Sequence, residues 1–351
     1  MSVARYTSEI RVRVGIAALI ALALGGLLLV LVTDVPIESI LTVGFINRSL
    51  IAAAPIALVA IGGLYAEKSG VFNIGVEGFM IFGAIIAATA VSLLSGGSPT
   101  QGDLWSAIVV SVAMTLLLTV VFAVIVIRYK ADQIVAGLAV WFIGLGFAPF
   151  TANVVWDSIN SPGLISMNRL AVPYLSEIPV LGAILFDQSP LVLLTILLVV
   201  AAWGFLYHTR YGYWIQAAGE NPEALDTAGV NVNRVRYATV IFSGAMAGLG
   251  GAVLLAHAGN FIGTGDTMVD GRGWIGIVAY LFGNYNPIGA AAAALLFGAL
   301  DMLQVQFQVV GIEVSNRLMG ILPYVAVIVV LTVWGKTRMP SSVGDPYESE
   351  E

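Results

Sequence analysis

Apolar runs about as long as a lipid bilayer is thick occupy most of this chain. A helix that crosses the hydrocarbon core needs about 20 mostly apolar residues. The runs cover residues 14–33, 49–66, 75–94, 105–127, 134–150, 190–206, 238–255, 274–282, 288–303 and 318–334. The run at 274–282 is far too short to cross, and such a half-helix is tolerated only where protein or a water-filled cavity surrounds it. The sequence predicts an all-α, polytopic membrane protein with about ten transmembrane segments, including one half-helix.

The composition excludes a soluble globular domain. Charged residues make up only 10% of the 351 residues, whereas a soluble domain carries about 25%. The chain has no cysteine, which excludes a disulfide, a thiolate metal site and a catalytic thiol. His208 and His257 do not have the spacing of a zinc site. We therefore expect no catalytic residue, metal or cofactor, and the lack of a basic run argues against a nucleic-acid partner.

The distribution of positive charge predicts the orientation in the membrane. Ten crossings place both termini on the same side, because we interpret the first run as an uncleaved span rather than a signal peptide. With the N-terminus inside, only Arg48, Arg169, Arg272 and Arg317 of the 15 Lys and Arg residues lie outside, which fits the positive-inside rule. We expect the cytoplasmic (inner) membrane of a prokaryote, both termini in the cytoplasm, and the loop 151–189 outside.

A polar island, AAGENPEALDTAGVNV at residues 217–232, separates two of the long apolar runs. Asn221 suits the N-cap of a helix, Pro222 the first helical position and Gly229 the position just past its end. The resulting helix has about two turns, too few to be stable alone in water. It must therefore dock through Leu225, Ala224 and Ala228, either against its own protein or against another one.

The segment EKSGVFNIGVEGF, residues 67–79, is the second unusual stretch. The spacing places Asn73 and Glu77 at i and i+4, on one face of a predicted helix. A carboxylate at membrane depth costs several kcal/mol unless it faces a cavity or a partner. Glu77 therefore either faces a cavity or a partner at membrane depth, or is part of a cytoplasmic turn where it is solvated or satisfied by neighbouring helices.

Aromatic residues add candidates for contact with a flat ligand. Trp141, Phe142, Trp274 and Tyr280 could stack on such a ligand, although Trp and Tyr also populate membrane interfaces. Trp141 is favoured because it lies near the middle of its run. Asn73, Glu77, Trp141 and Trp274 are thus the candidates for contact with a ligand, and in a transport protein they would be the substrate-path residues. Elsewhere, a GxxxG pattern at Gly244 and Gly248 predicts close helix packing inside one subunit.

Several motifs resemble those of a known family of membrane permeases. They are EKSGVFNIGVEGFM at 67–80, ADQIVAG at 131–137, AAGENPEALDTAGV at 217–230 and FSGAMAGLGGA at 242–252, together with residues 282–300. The chain resembles the permeases of ABC importers in the branched-chain amino acid and simple-sugar group, and within that group the nucleoside-type permeases. The likeness extends from about the second span to the last.

The resemblance implies a set of partners that periodicity could not reveal. A second, homologous permease would complete the pore, one or two ABC ATPase subunits, possibly as a tandem chain, would hydrolyse ATP, and an extracytoplasmic binding protein would deliver a small-molecule substrate. The polar island would be the coupling helix that docks on the ATPase. Its residues are Gly219, Glu220, Asn221, Pro222, Leu225, Ala228 and Gly229. Residues 1–340 would form the permease domain in membrane lipid. The polar and acidic composition of residues 341–351 predicts a disordered tail.

The predicted function is a transmembrane permease subunit of an ATP-driven importer, forming the translocation path for nucleosides with a second permease. A permease for simple sugars or branched-chain amino acids is the alternative within the group. An ion-coupled secondary transporter is the alternative outside it. That class predicts broken helices in both halves of the chain, and only the run at 274–282 has this character.

Overall fold

The computed structural model describes residues 37–178, 181–311 and 339–348. Its elements in chain order are α1 (Ile37–Ile40), α2 (Val43–Lys68), α3 (Val76–Leu94), α4 (Gln101–Ala123, followed by a π-helical turn, Val124–Arg128), α5 (Gln133–Trp156), β1 (Leu170–Ala171), α6 (Leu181–Leu185), β2 (Asp187–Gln188), α7 (Pro190–His208), α8 (Arg210–Glu220), α9 (Pro222–Thr227), α10 (Val232–Ala258), α11 (Arg272–Phe282) and α12 (Pro287–Val310). The two short strands pair antiparallel.

Within the described ranges, seven helices are long and apolar enough to cross a membrane: α2, α3, α4 with its π-helical turn, α5, α7, α10 and α12. Each corresponds to one of the long runs in the sequence, and α11 corresponds to the predicted half-helix. The predicted spans at 14–33 and 318–334 lie outside the described residues. The structure therefore confirms an all-α, multi-pass membrane protein.

Local capping determines where several of these helices begin and end. Thr100 and Asp103 form a capping box at the start of α4, and the Asp132 side chain accepts a hydrogen bond from the backbone N–H of Val135 at the start of α5. These side chains satisfy N–H groups that have no partner within the helix. Helix α10 ends at Gly259, whose positive φ of 71° is a conformation that glycine adopts without steric cost.

Close packing of α3, α4 and α10 depends on small residues. A Cβ at Gly251 would collide with the Met80 carbonyl of α3, and one at Gly248 would lie 2.6 Å from the Thr115 Cβ of α4. The equivalent atom at Gly244 would collide with Thr119 of α4. Such contacts let helix backbones approach closely. The prediction that the GxxxG pattern packs within one subunit is confirmed.

The described residues fall into two compact units. One contains the described residues up to Ala53 together with those from Leu295 to residue 311. Inside this unit, Gly298 packs against the backbone of Ser49 and Ala53. The other unit contains residues 54–294 and 339–348, and every candidate site described below lies within it.

Candidate coupling surface and transport-path residues

The predicted short helix of the polar island is present as α9. The Asn221 side-chain oxygen accepts a hydrogen bond from the backbone N–H of Ala224 at 3.0 Å, and Pro222 occupies the first helical position. Gly229 has a positive φ of 81°, as expected for a glycine just past the end of a helix. These interactions join residues close in sequence, which is why the pattern of residues predicted them.

Helix α9 is held on its own chain by Leu225. That side chain is 5% exposed and packs in a cluster with Ala218 and Val232. Gly219 is buried as well, since a Cβ there would collide with the Lys68 carbonyl at the end of α2. Leu225 and Gly219 therefore anchor the helix and do not belong to its outward surface.

The outward surface of residues 219–229 is formed by exposed residues on either side of the buried Leu225 and by the half-buried Pro222. The exposed ones are Glu220, Asn221, Glu223, Ala224, Thr227, Ala228 and Gly229. We call this set, with Pro222, the coupling surface. This surface carries two carboxylates and several small side chains. Because the side chains are small, the backbone of the segment is accessible to a partner.

Residues 341–348, which we call the strap, lie across this segment. The Ser342 N–H donates to the Gly219 carbonyl at 2.9 Å, and the Ser341 hydroxyl donates to the Glu220 carbonyl at 2.6 Å. The Tyr347 hydroxyl donates to the Asp226 carboxylate at 2.7 Å. These contacts join residues 341–348, part of the predicted disordered tail, to acceptors in parts of the chain that composition does not reveal.

The strap also contacts the membrane helices. A guanidinium nitrogen of Arg236 donates to the Asp345 carbonyl at 2.9 Å, and the Gly344 N–H donates to the Gly70 carbonyl at 3.1 Å. Glu348 forms an ion pair with Lys130, and the hydrogen bond from Lys130 lowers the pKa of this carboxyl. Because both partners are exposed, that pair contributes little to stability, and the buried contacts of Arg236 matter more.

The structure separates Asn73 from Glu77. Helix α3 begins only at Val76, so Asn73 precedes the helix and the prediction of a shared helix face is wrong. The Asn73 amide donates to the Ser243 hydroxyl of α10 at 3.0 Å, while its carbonyl oxygen accepts from the Gly75 N–H at 3.1 Å. Glycines at 70, 75 and 78 made this boundary hard to locate, since the apolar run continues through them.

Glu77 is fully enclosed and holds the start of α11. Its carboxylate accepts hydrogen bonds from the backbone N–H groups of Gly271 at 2.9 Å and Gly273 at 2.6 Å. The first N–H groups of a helix have no partner within it and carry partial positive charge. A carboxylate placed there is satisfied despite its burial. Glu77 thus lies in α3 rather than in a turn, and the start of α11 supplies its hydrogen-bond partners.

The two tryptophans of the predicted path meet beside this contact. The Trp141 and Trp274 rings lie edge to face, with centroids 5.6 Å apart and an interplanar angle of 84°. Trp274 directly follows Gly273, and Trp141 lies against α3, where a Cβ at Gly78 would be only 2.8 Å from the Trp141 Cα. Glu77, Trp141 and Trp274 therefore form one cluster. We call Trp141 and Trp274 the tryptophan pair, and Glu77 is the residue that anchors it. Asn73 lies outside this cluster and forms its hydrogen bond with α10.

A second buried carboxylate, Glu67, is not among the residues predicted from the sequence. Glu67, 1% exposed, accepts a hydrogen bond from the Tyr285 hydroxyl at 2.6 Å. Tyr280 packs against the ring of Tyr285, with centroids 5.7 Å apart, and is itself buried. Tyr280 is therefore part of the protein interior. The only sequence feature that indicated a role for Glu67 is its position directly after the apolar run 49–66.

A large apolar groove lies apart from the tryptophan pair. It has a volume of about 750 Å³ and runs between α7, α8 and α10. Its lining includes Phe205, Trp214, Val230, Arg234 and Phe242. None of the four predicted path residues lines it, so its size alone does not assign it to a transport path.

In the described part of the chain, seven apolar helices are long enough to cross a membrane, a buried carboxylate holds the start of a half-helix, and a polar helix is docked on the chain. These features describe a multi-pass membrane protein. The sequence then specifies the family. Residues 45–331 match the family described as the permease component of the branched-chain amino acid transport system. The chain belongs to this permease family.

Individual relatives align along most of their length. The guanosine ABC transporter permease protein NupQ of Bacillus subtilis is 34% identical over 86% of this chain and 95% of the relative. The nucleoside ABC transporter permease protein NupC of Lactococcus lactis is 35% identical over 86% and 96%. The putative glucose ABC transporter permease protein TsgC13 of Haloferax volcanii is 34% identical over 76% and 78%.

Bacillus subtilis and Lactococcus lactis each contain a second, more distant relative of this chain. These are the guanosine permease protein NupP of Bacillus subtilis, 25% identical, and the nucleoside permease protein NupB of Lactococcus lactis, 26% identical. Related permeases thus occur in pairs within one organism. No solved structure matches the chain.

Proposed function

We propose that this chain is the transmembrane permease subunit of an ATP-driven ABC importer, and that it forms a translocation path for nucleosides with a second permease. The observation that carries the substrate class is the 34–35% identity to a guanosine and a nucleoside permease across 86% of the chain. The paired relatives in each bacterium support the second permease. ATP hydrolysis is assigned to separate ATPase subunits, and substrate delivery to an extracytoplasmic binding protein.

The coupling surface is the proposed contact with the ATPase. ATP binding closes the nucleotide-binding dimer and pulls residues 220–229, and this pull reorients the helices around the path. The anchoring supports such a transfer of force, because Leu225 ties α9 to Val232 at the start of α10. The close approach of Gly219 to the Lys68 carbonyl ties the same segment to the end of α2.

The tryptophan pair is the proposed contact with the substrate. A nucleoside is neutral and carries a flat base, which an indole can stack on. Trp141 and Trp274 are both half-buried, so part of each ring remains accessible. Glu77 acts by positioning Trp274, since it binds the backbone one residue before it. We keep Asn73 as a candidate for the substrate path because it lies in the turn between α2 and α3.

The proposed orientation places both termini and the coupling surface in the cytoplasm and residues 151–189 outside. A single cysteine at Ala228, introduced into this cysteine-free chain, should resist an impermeant thiol reagent in intact cells and react after the membrane is opened. A cysteine at Tyr174, whose side chain is 84% exposed, is the matched control and should react in intact cells. Reaction of the cysteine at position 228 in intact cells would show that the proposed orientation is wrong.

Substrate competition should identify the branch of the family. In the reconstituted importer, excess guanosine or adenosine should block uptake of a labelled nucleoside, whereas leucine should not. Uptake should also require ATP and continue when ion gradients are dissipated. Block by free ribose or glucose would instead place the chain with the sugar branch, to which one relative's name belongs, and block by leucine would place it with the amino acid branch.

A further inference from the structure

We propose that the strap is a positioning element for coupling, with Tyr347 as the residue that holds α9 in the orientation the ATPase engages. This inference rests on the proposed role of the coupling surface. The strap itself is not part of that surface. It would act by fixing where the surface lies relative to the membrane helices.

The strap holds α9 at two places. Ser341 and Ser342 bind the carbonyls of Glu220 and Gly219 just before the helix. Tyr347 binds Asp226 near its end and also packs against the cluster around Leu225. A helix of six residues is too short to persist alone. Contacts at both ends therefore restrict its tilt further than the packing of Leu225 and Gly219 does.

The same strap is fixed to the membrane helices on its other side. Gly344 binds the Gly70 carbonyl in the turn between α2 and α3, and Asp345 accepts from Arg236 of α10. Glu348 pairs with Lys130 in the turn before α5. The strap thus connects α9 with the ends of α2, α10 and α5. The contact with the buried Arg236 is the strong one of these, since the exposed Lys130–Glu348 pair contributes little. Movement of α9 is therefore connected mainly to α10.

Arg236 indicates that the strap occupies a formed site. Its side chain is 3% exposed, and a buried charge is costly unless it is hydrogen-bonded. Its acceptors are the Ser69 carbonyl at 3.2 Å and the Asp345 carbonyl of the strap. The guanidinium also lies 5.8 Å from the centroid of the Tyr347 ring, within the range of a cation–π contact. Removing the strap would leave this cation with fewer partners.

The test is the amount of nucleoside transported per ATP hydrolysed by the assembled importer in liposomes. Tyr347→Phe removes one hydroxyl and keeps the ring over Arg236. We expect the transport-to-hydrolysis ratio to fall by roughly threefold to tenfold, which is the loss that an ordinary intramolecular hydrogen bond represents. Tyr129→Phe is the matched control, since Tyr129 is 72% exposed, and it should keep the parent ratio. Asp226→Asn retains an acceptor oxygen and should keep more of the ratio than Asp226→Ala.

The outcomes separate the strap from the coupling surface. If Tyr347→Phe and a chain ending at Pro340 both keep the parent ratio while Ala228→Arg abolishes transport, the strap proposal is wrong and the coupling surface stands. If Ala228→Arg also transports normally, the coupling surface itself fails. A purely structural strap would lower the yield or unfolding temperature of the Tyr347→Phe complex with no change in ratio, and that result also overturns the proposal.

Discussion

An arginine at Ala228 should abolish both nucleoside uptake and substrate-stimulated ATP hydrolysis, with the protein still inserted in the membrane. Ala228 is exposed and follows the last residue of α9. A cation near a helix C-terminus is favourable for the helix, so the local fold should survive. A bulky charge in the centre of an interface costs on the order of 2 kcal/mol, which corresponds to a loss of roughly 30-fold or more. Uptake and copurification of the ATPase measure the effect.

The matched control for this substitution is Ala228→Ser, which keeps the surface small and should retain parent activity. Leu225→Asp addresses a different question, because Leu225 is buried on its own chain. It should lower the amount of folded protein. If Ala228→Arg instead binds the ATPase and transports at the parent rate, the coupling surface is not the ATPase contact.

Replacing Glu77 by alanine should lower nucleoside uptake far more than it lowers basal ATP hydrolysis by the assembled complex. The substitution leaves the N–H groups of Gly271 and Gly273 without their acceptor. Each unsatisfied buried donor costs about 1–3 kcal/mol. The start of α11 should loosen and Trp274 should leave its position against Trp141, while the coupling surface is unaffected. Uptake, basal hydrolysis and thermal unfolding measured on the same preparation distinguish these effects.

Glu77→Gln keeps one acceptor oxygen and should fall between the parent and Glu77→Ala in both uptake and unfolding temperature. Glu177→Gln, at an exposed position in the loop 151–189, provides the matched control for charge removal and should behave as the parent. Equal losses of uptake and basal hydrolysis in Glu77→Ala would contradict a role in the path. They would indicate a general loss of assembled protein.

Features that depend on neighbouring residues were predictable from the sequence. The long apolar runs correspond to helices because, at membrane depth, a helix satisfies its backbone within one segment. The α9 helix was predictable because Asn221, Pro222 and Gly229 act on atoms a few residues away. The motifs of the permease family were also recognisable from the sequence, since each is a continuous stretch of the chain.

The hydrogen-bond partners of Glu77 are visible only in the tertiary structure. Its hydrogen-bond partners are 194 and 196 residues further along the chain, and no periodicity connects them. The same holds for Tyr347 and Asp226, which are 121 residues apart. For Leu225, composition left open whether the side chain docks on its own protein or on a partner. Only the folded chain places Ala218 and Val232 around it.

The sequence by itself determined the class of fold, the short capped helix and the family, because these follow from hydrophobic length, local capping and continuous motifs. The tertiary structure decided which polar groups face each other. It paired Glu77 with the start of α11, brought Trp141 to Trp274, and placed the strap on α9. The physical reason is that a buried polar group must find a partner, and the fold, rather than spacing along the chain, determines which one is within reach.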